Sequence, residues 1–233
     1  MPFELQNIDI ETDFPGLARC LFDAHEDPPQ KFFHIFFPTH GTTTEAREAA
    51  IAEAAVRLKM WHTEDPTSSW QKAIDTDTGR IIGAATWNTY LENPFLEHQP
   101  PEAYWFPDDS SRKYAEQALK RFDAPREKIA PKAHQYLFII YTHPEYRRRG
   151  VAQQLLDAGL AKADALGLET YLDSTPPGRP LYEVNGFEYV QENPNIPHND
   201  HPDEKWQEME EKVGPFMFWL MRRPAQGKQT ASQ

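Results

Sequence analysis

The chain has 233 residues, 39% of them hydrophobic and 26% charged, with 36 acidic against 24 basic side chains for a formal net charge of −12. That length suits one sizeable core, the absence of any run of about 18 apolar residues excludes a membrane-spanning helix, and the negative field repels nucleic acid while favouring cationic partners. Cys20 is the only cysteine, so no intrachain disulfide can form and a cysteine-based metal site is not expected. The opening Met1-Pro2-Phe3-Glu4 has neither the basic segment nor the apolar stretch of a secretory signal, and a cytoplasmic location is expected.

Phe3–Ile10 alternates loosely and reads as a first strand. Asp13 is a candidate cap for a helix through Leu17, Leu21 and Phe22. Lys31–Pro38 is rich in phenylalanine (Phe32, Phe33, Phe36, Phe37) beside His34 and His40, and reads as core packing or the wall of a pocket. One of Thr42, Thr43 and Thr44 opens an Ala- and Glu-rich helix to about Met60, with Ile51, Ala55 and Leu58 on its apolar side. Ser69–Asp75 and Ile81–Tyr90 flank Asp77-Thr78-Gly79-Arg80 as the arms of a hairpin.

Residues 93–131 begin as a proline-crowded loop and continue, from caps at Asp108–Ser111, into a helix carrying Tyr114, Ala118, Leu119 and Phe122. A connection of this length is usually functional or mobile, and it is a candidate lid over an acceptor. Tyr136–Thr142 is a continuous apolar run suited to a strand buried on both faces. A helix follows from Gly150 to about Leu166, stopped by Gly167. Leu168–Leu172 reads as a strand, Pro180–Val184 as a short helix, and Phe187–Val190 and Phe216–Met221 as the last strands. Residues 1–222 are expected to form a single domain, with 223–233 a flexible tail. His198 and His201 lack a third metal ligand and read as loop, and the six tryptophans are too scattered along the chain to predict a stacking platform.

The chemistry sits where a strand turns into a helix. The first turn of a helix leaves unpaired N–H groups and the positive end of its dipole facing outward, which makes an anion site. Here that turn is Tyr146-Arg147-Arg148-Arg149-Gly150-Val151-Ala152. Gly150 permits close approach of a phosphate to the backbone, Ala152 keeps the next turn uncrowded, and the arginines add charge.

The stretch from Leu137 to Ala152, with its strand, His143-Pro144-Glu145-Tyr146 turn and Arg147-x-x-Gly150-x-Ala152, closely resembles motif A of the GNAT acyltransferase superfamily. Leu181-Tyr182-Glu183-Val184-Asn185-Gly186-Phe187 resembles the family's motif B, in the right order and at the usual separation. Ser174-Thr175-Pro176-Pro177-Gly178 and the Trp70–Trp87 hairpin resemble variants associated with fungal members.

The resemblance implies an α/β (α+β) GNAT fold: a mixed, strongly bent central sheet of about six to seven strands flanked by helices on both faces. Two strands would splay around acetyl-CoA, the co-substrate, because of a bulge in Leu137–Thr142. By the same resemblance Ile140, Tyr141 and Thr142 would meet the pantetheine arm, with an N–H near Ile140 polarising the thioester. Backbone N–H groups from Arg148 through Arg149, Gly150 and Val151 to Ala152, beside Arg147, would hold the pyrophosphate. Thr175, where many relatives have asparagine, and Gly178 would flank the pantetheine, and no metal is called for.

Amide formation needs a neutral amine, a polarised thioester and a proton for the leaving thiolate. Tyr182 stands where the family places its general acid. Many relatives have Glu or His at the position of Tyr136, so a carboxylate base is missing there; His134, on the same face, is the candidate base through water, with Glu97 and His98 as vaguer ones. The expected reaction is acetylation of a small-molecule amine, cationic or aromatic, by a monomer or homodimer. Acetylation of a protein N-terminus or lysine, and a CoA-binding module without catalysis, are the alternatives.

Overall fold

The computed structural model describes residues 2–96 and 100–226. Its strands are β1 (Phe3–Asn7), β2 (Ser68–Asp75), β3 (Ile81–Tyr90), β4 (His134–Thr142), β5 (Thr170–Ser174), β6 (Glu188–Asn195) and β7 (Phe216–Arg223). They form one mixed sheet in the order β1-β2-β3-β4-β5-β7-β6, parallel between β4 and β5 and antiparallel elsewhere. The helices are α1 (Phe14–Glu26), α2 (Phe33–Phe36), α3 (Thr44–Glu64), α4 (Ser110–Ile129), α5 (Val151–Leu166), α6 (Arg179–Val184) and α7 (Glu204–Lys212). This is the mixed α/β architecture expected from the sequence.

The two faces of the sheet are covered by different helices. α1 and α3 bury Leu17, Leu21, Phe22, Ile51, Ala54 and Leu58 against Trp70, Ala84 and Tyr141. α5 lays Val151, Leu155, Leu156 and Leu160 on the opposite face, over Ile82, Ala85, Trp87 and Leu137. Each fully buried leucine contributes about 1.5–3 kcal/mol, so these helices are fixed by their apolar stripes. α4 and α7 pack together through Tyr114, Ala118, Trp206 and Met209.

Three helices start at side-chain caps. Thr43 Oγ1 accepts from Ala46 N–H at 3.2 Å, Asp109 Oδ1 from Ser111 N–H at 2.8 Å, and Asp203 Oδ1 from Trp206 N–H at 2.9 Å. Asp13 precedes α1 as expected but does not cap it. Its carboxylate accepts from Asp9 N–H and from Lys72 Nζ, both at 2.6 Å, tying the helix start to β2.

Three segments differ from the sequence reading. β6 runs to Asn195, through Pro194, because it is the sheet's edge strand and a proline there forfeits no ladder bond. α7 follows the His198–His201 loop and was not anticipated. Arg222 and Arg223 belong to β7, and Arg223 pairs with Asp164 of α5 at 2.5 Å; the remainder of the expected tail, 227–233, lies outside the described residues.

Candidate active site

Behind the turn between β4 and α5 a buried phenol holds the backbone in place. Tyr146 Oη donates to Asp75 Oδ2 at 2.6 Å, and the same carboxylate accepts from Asp77 N–H at 2.9 Å. The Tyr146 bond, then the backbone amides, holds Asp75 below its usual carboxylate range. From this anchor the chain passes through left-handed conformations at Arg148 (φ 58°) and Gly150 (φ 86°) into α5. Gln154 N–H makes the bond to the Gly150 carbonyl, so the amides of Val151, Ala152 and Gln153 precede the helical ladder and face outward. A Cβ at Gly150 would meet nothing within 4 Å, which leaves the mouth of the helix open to an anion.

The three arginines separate in space. Arg147 turns inward and donates from Nη2 to the Ala24 carbonyl at 2.7 Å, while Arg148 and Arg149 stay exposed, Arg149 lying 5.3 Å over the Tyr146 ring. Val151 is buried against the sheet rather than at the surface of the mouth.

From here a cavity of about 630 Å³ runs into the sheet. β4 and β5 pair at Gln135↔Thr170, Tyr136↔Tyr171 and Leu137↔Leu172, and the ladder ends there. On the other edge of β4, Thr86 faces Ile139 whereas Trp87 faces Leu137, so Phe138 is an extra residue: a bulge within the strand segment where the family resemblance implied one. Beyond the fork, Ile140, Tyr141, Thr142, Arg147 and Ala152 line one wall, and Thr175, Gly178 and Tyr182 the other. Tyr141 presents only part of itself, since its hydroxyl donates to the Leu17 carbonyl at 2.9 Å. Tyr182 packs edge-on against Phe187, and burial raises its phenol well above the ordinary value, so it is protonated at neutral pH. Gly178 lies close to that ring: a Cβ there would approach Tyr182 Cε2 to 3.1 Å.

A second cavity, about 460 Å³, adjoins the first, and Phe36, Phe122 and Phe138 line both. Its walls combine Glu64, Asp65 and Asp123 with Trp61, Trp70 and Trp105. Tryptophans remote in sequence thus converge, though not as a stack: Trp61 and Trp105 meet edge-on at 5.5 Å. Asp65 is oriented by Asn88 Nδ2 at 2.7 Å and Thr67 Oγ1 at 2.7 Å. The Lys31–Pro38 phenylalanines serve both readings given above: Phe33 and Phe37 are core residues, and together with Phe32 and Phe36 they line the first cavity. The 93–131 segment reaches the second cavity through Pro101, Trp105 and Phe122.

The candidate bases are placed very differently. His134 is fully buried among Tyr90, Phe95 and Tyr171, with Nδ1 2.7 Å from the Lys132 carbonyl. Burial lowers its pKa to about 4, and it is not among the residues lining either cavity. Glu97 and His98 lie outside the described residues. Tyr136 lines the second cavity, and its Oη donates to Asp173 Oδ2 at 3.1 Å. Asp173 lines the first cavity; burial raises its carboxyl to about 6. The sequence reading passed over Asp173, although a carboxylate inside Thr170-Tyr171-Leu172-Asp173 is the kind of local conflict that marks a working residue. Among the described residues no group of three or more His, Cys, Asp or Glu is placed to hold a metal, and His198 pairs with Asp200 at 3.0 Å.

Residues 30–187 match the acetyltransferase (GNAT) family. No curated protein sequence matches the chain. Among solved structures, arylalkylamine N-acetyltransferase 2 from Aedes aegypti superposes with a TM-score of 0.62 at 16% identity, covering 96% of this chain and 99% of that one. The Drosophila melanogaster polyamine N-acetyltransferase, which forms N-acetylagmatine, gives 0.56 at 12% identity over 95% and 99%. The PaiA N-acetyltransferase of Thermoplasma acidophilum, in complex with coenzyme A, gives 0.50 at 14% identity over 96% and 99%. At such identities the structures speak for the fold alone; with the family match over more than half its length, the chain belongs to the GNAT family of acetyltransferases.

Proposed function

We propose that the protein moves an acetyl group from acetyl-CoA to a primary amine of a small molecule, by direct attack with both substrates bound. One observation carries this reading: a cavity that begins at the open mouth of α5 and follows the β4–β5 fork meets a second cavity lined with carboxylates and aromatic rings. The first suits coenzyme A, because unladdered amides from Val151 to Gln153 can take the pyrophosphate and the separated strands leave room for the pantetheine. When bound, acetyl-CoA supplies an activated thioester. The second suits a cationic or aromatic amine, since Glu64 and Asp65 attract an ammonium group, Asp123 being paired with Arg126, and Trp61, Trp70 and Trp105 supply aromatic walls. The amine acceptors of the insect relatives agree with this.

The side chains divide the work. An N–H of β4 near Ile140 donates to the thioester carbonyl as charge develops on its oxygen. Tyr182, kept neutral by burial, gives its proton to the departing sulfur. Pro101, Trp105 and Phe122 wall the acceptor side, which fits a small molecule better than a peptide.

A panel of amines, polyamines and peptides with free-thiol detection tests the reading, alongside thermal-shift titration with coenzyme A. At a hundredfold excess over Kd the ligand stabilises by about 2.7 kcal/mol. Coenzyme A binding with thiol release on small amines is expected; no binding, or release on peptides alone, would overturn it.

A further inference from the structure

A charged amine has a pKa of about 10, so at neutral pH its proton must leave before nitrogen can attack. This inference rests on the function proposed above, and it concerns where that proton goes. We infer that Tyr136 and Asp173 form the proton exit of the site, Tyr136 taking the ammonium proton in the second cavity while its own proton passes to Asp173 in the first.

The geometry is that of a bridge through the fork. Tyr136 immediately precedes the last β4–β5 pair, Leu137↔Leu172, and Asp173 immediately follows it. Tyr136 pairs with Tyr171, so Tyr136 and Asp173 are diagonal neighbours on one face of the parallel ladder. The phenol donates to Oδ2 at 3.1 Å. Asp173 Oδ1 is shut off from solvent and has no hydrogen-bond partner, so the carboxylate is short of donors and disposed to take a proton. Tyr136 and Asp173 thus lie on opposite sides of the partition made by Phe36, Phe122 and Phe138, which acceptor nitrogen and acyl carbon must also meet across.

The neighbouring charges come from three other elements. From α4, the Arg126 guanidinium lies 3.8 Å over the Tyr136 ring, paired with Asp123 at 2.9 Å. Arg126 and, last in size, Asn193 of β6 lower the Asp173 pKa, Asp123 raises it, and Tyr90 of β3 flanks Arg126. Burial outweighs the favourable partners and sets the carboxyl at about 6, two pH units nearer the amine than an ordinary aspartate.

The steps balance. An ammonium N–H bond breaks as a new Tyr136 Oη–H forms, and the former phenolic proton binds Asp173, leaving amine, phenol and carboxylic acid all neutral. Nitrogen then attacks the thioester carbonyl carbon; the C–N bond forms and the C–S bond breaks, its electron pair leaving on sulfur. Tyr182 protonates the sulfur and recovers the second nitrogen proton, and Asp173 returns its proton to solvent.

The test compares wild type, Asp173→Asn and Tyr136→Phe. For wild type, kcat/KM is expected to rise through a midpoint near pH 6 to a plateau above it. In both variants it should fall by about 10²-fold at neutral pH and climb steadily toward the pKa of the amine, because only free amine then reacts. Coenzyme A binding should be retained in all three. Independently of turnover, infrared titration of the Asp173 carboxyl should show a transition near pH 6 that is absent in Asp173→Asn and moves upward in Tyr136→Phe. A variant that binds coenzyme A and keeps the wild-type pH profile would overturn the relay, as would a carboxyl titration indifferent to Tyr136→Phe. Failure of wild type to bind coenzyme A or to acetylate any amine would instead remove the underlying function, and the infrared comparison still decides whether the pair is coupled. Should Asp173→Asn not fold, Tyr136→Phe carries both readouts.

Discussion

Gly159 of α5 and Trp87 of β3 touch so closely that a Cβ on residue 159 would fall 2.0 Å from Cε2 and 2.2 Å from Cζ2 of the indole. Glycine inside a helix normally costs about 1 kcal/mol relative to alanine, so Gly159→Ala would stabilise an exposed helix. Here the added methyl overlaps a ring that is itself almost fully buried, and overpacking of that kind costs about 1–3 kcal/mol. Gly159→Ala is therefore expected to lower the urea midpoint at unchanged m-value, with a change in Trp87 fluorescence. A midpoint at or above wild type would show that the indole can move aside.

Tyr182 is buried and lines the first cavity. Tyr182→Phe removes one oxygen and keeps the ring against Phe187. If the phenol protonates the leaving sulfur, kcat falls by about 10²-fold while the Kd for acetyl-CoA stays within about twofold, since packing is retained. Steady-state rates and equilibrium titration separate the two; an unaltered kcat would leave Tyr182 a packing residue only.

Gly150 and Gly167 bracket α5 in the same left-handed conformation, at φ 86° and 67°, and neither would place a Cβ within 4 Å of anything. Alanine at either position should cost about 1 kcal/mol of backbone strain. Only Gly150 adjoins the proposed pyrophosphate site. Gly150→Ala is expected to weaken coenzyme A binding about tenfold or more, and Gly167→Ala to leave it unchanged at similar loss of stability. Calorimetric titration of both variants checks this; equal affinities would place the diphosphate elsewhere.

What could be read from the sequence was what local pattern encodes. The apolar run ending at Thr142, the left-handed Gly150 and the apolar face of Val151, Leu155, Leu156 and Leu160 dictate strand, turn and helix with no help from distant residues. The hairpin about Gly79 was equally local. α7 was missed because two buried side chains, Trp206 and Met209, hold a segment that is otherwise charged and follows a proline-punctuated loop. The edge position of β6, which excuses Pro194, is a property of strand order. Asn193 and Asn195 donate to the Phe122 and Ala118 carbonyls of α4, contacts more than seventy residues apart in the chain. The second cavity was illegible for the same reason: Trp61, Trp70, Trp105 and Asp123 come from four separate segments. Asp173 gains its importance from Tyr136, thirty-seven residues away, and not from its neighbours in sequence.

His25, His34 and His134 make acid sensitivity a property of the fold. Burial lowers each from 6.5 to about 4. Between those values the unfolded chain binds protons that the folded protein refuses, so the stability present above pH 6.5 is lost as pH falls toward 4. Asp173 works in the opposite sense, because its folded carboxyl, raised to about 6, takes up a proton at a pH where the unfolded one does not. Three groups outweigh one, and the net slope favours neutral pH. Each histidine contributes up to about 1.4 kcal/mol per pH unit. In His134→Asn the amide nitrogen can replace Nδ1 on the Lys132 carbonyl, removing the titration while keeping the bond. Urea midpoints measured from about pH 7 to about pH 5 should then fall less steeply than in wild type, by close to one proton's worth of slope. Parallel curves would mean that His134 is already protonated inside the fold or reached by solvent, and the acid sensitivity would have to come from His25 and His34 alone.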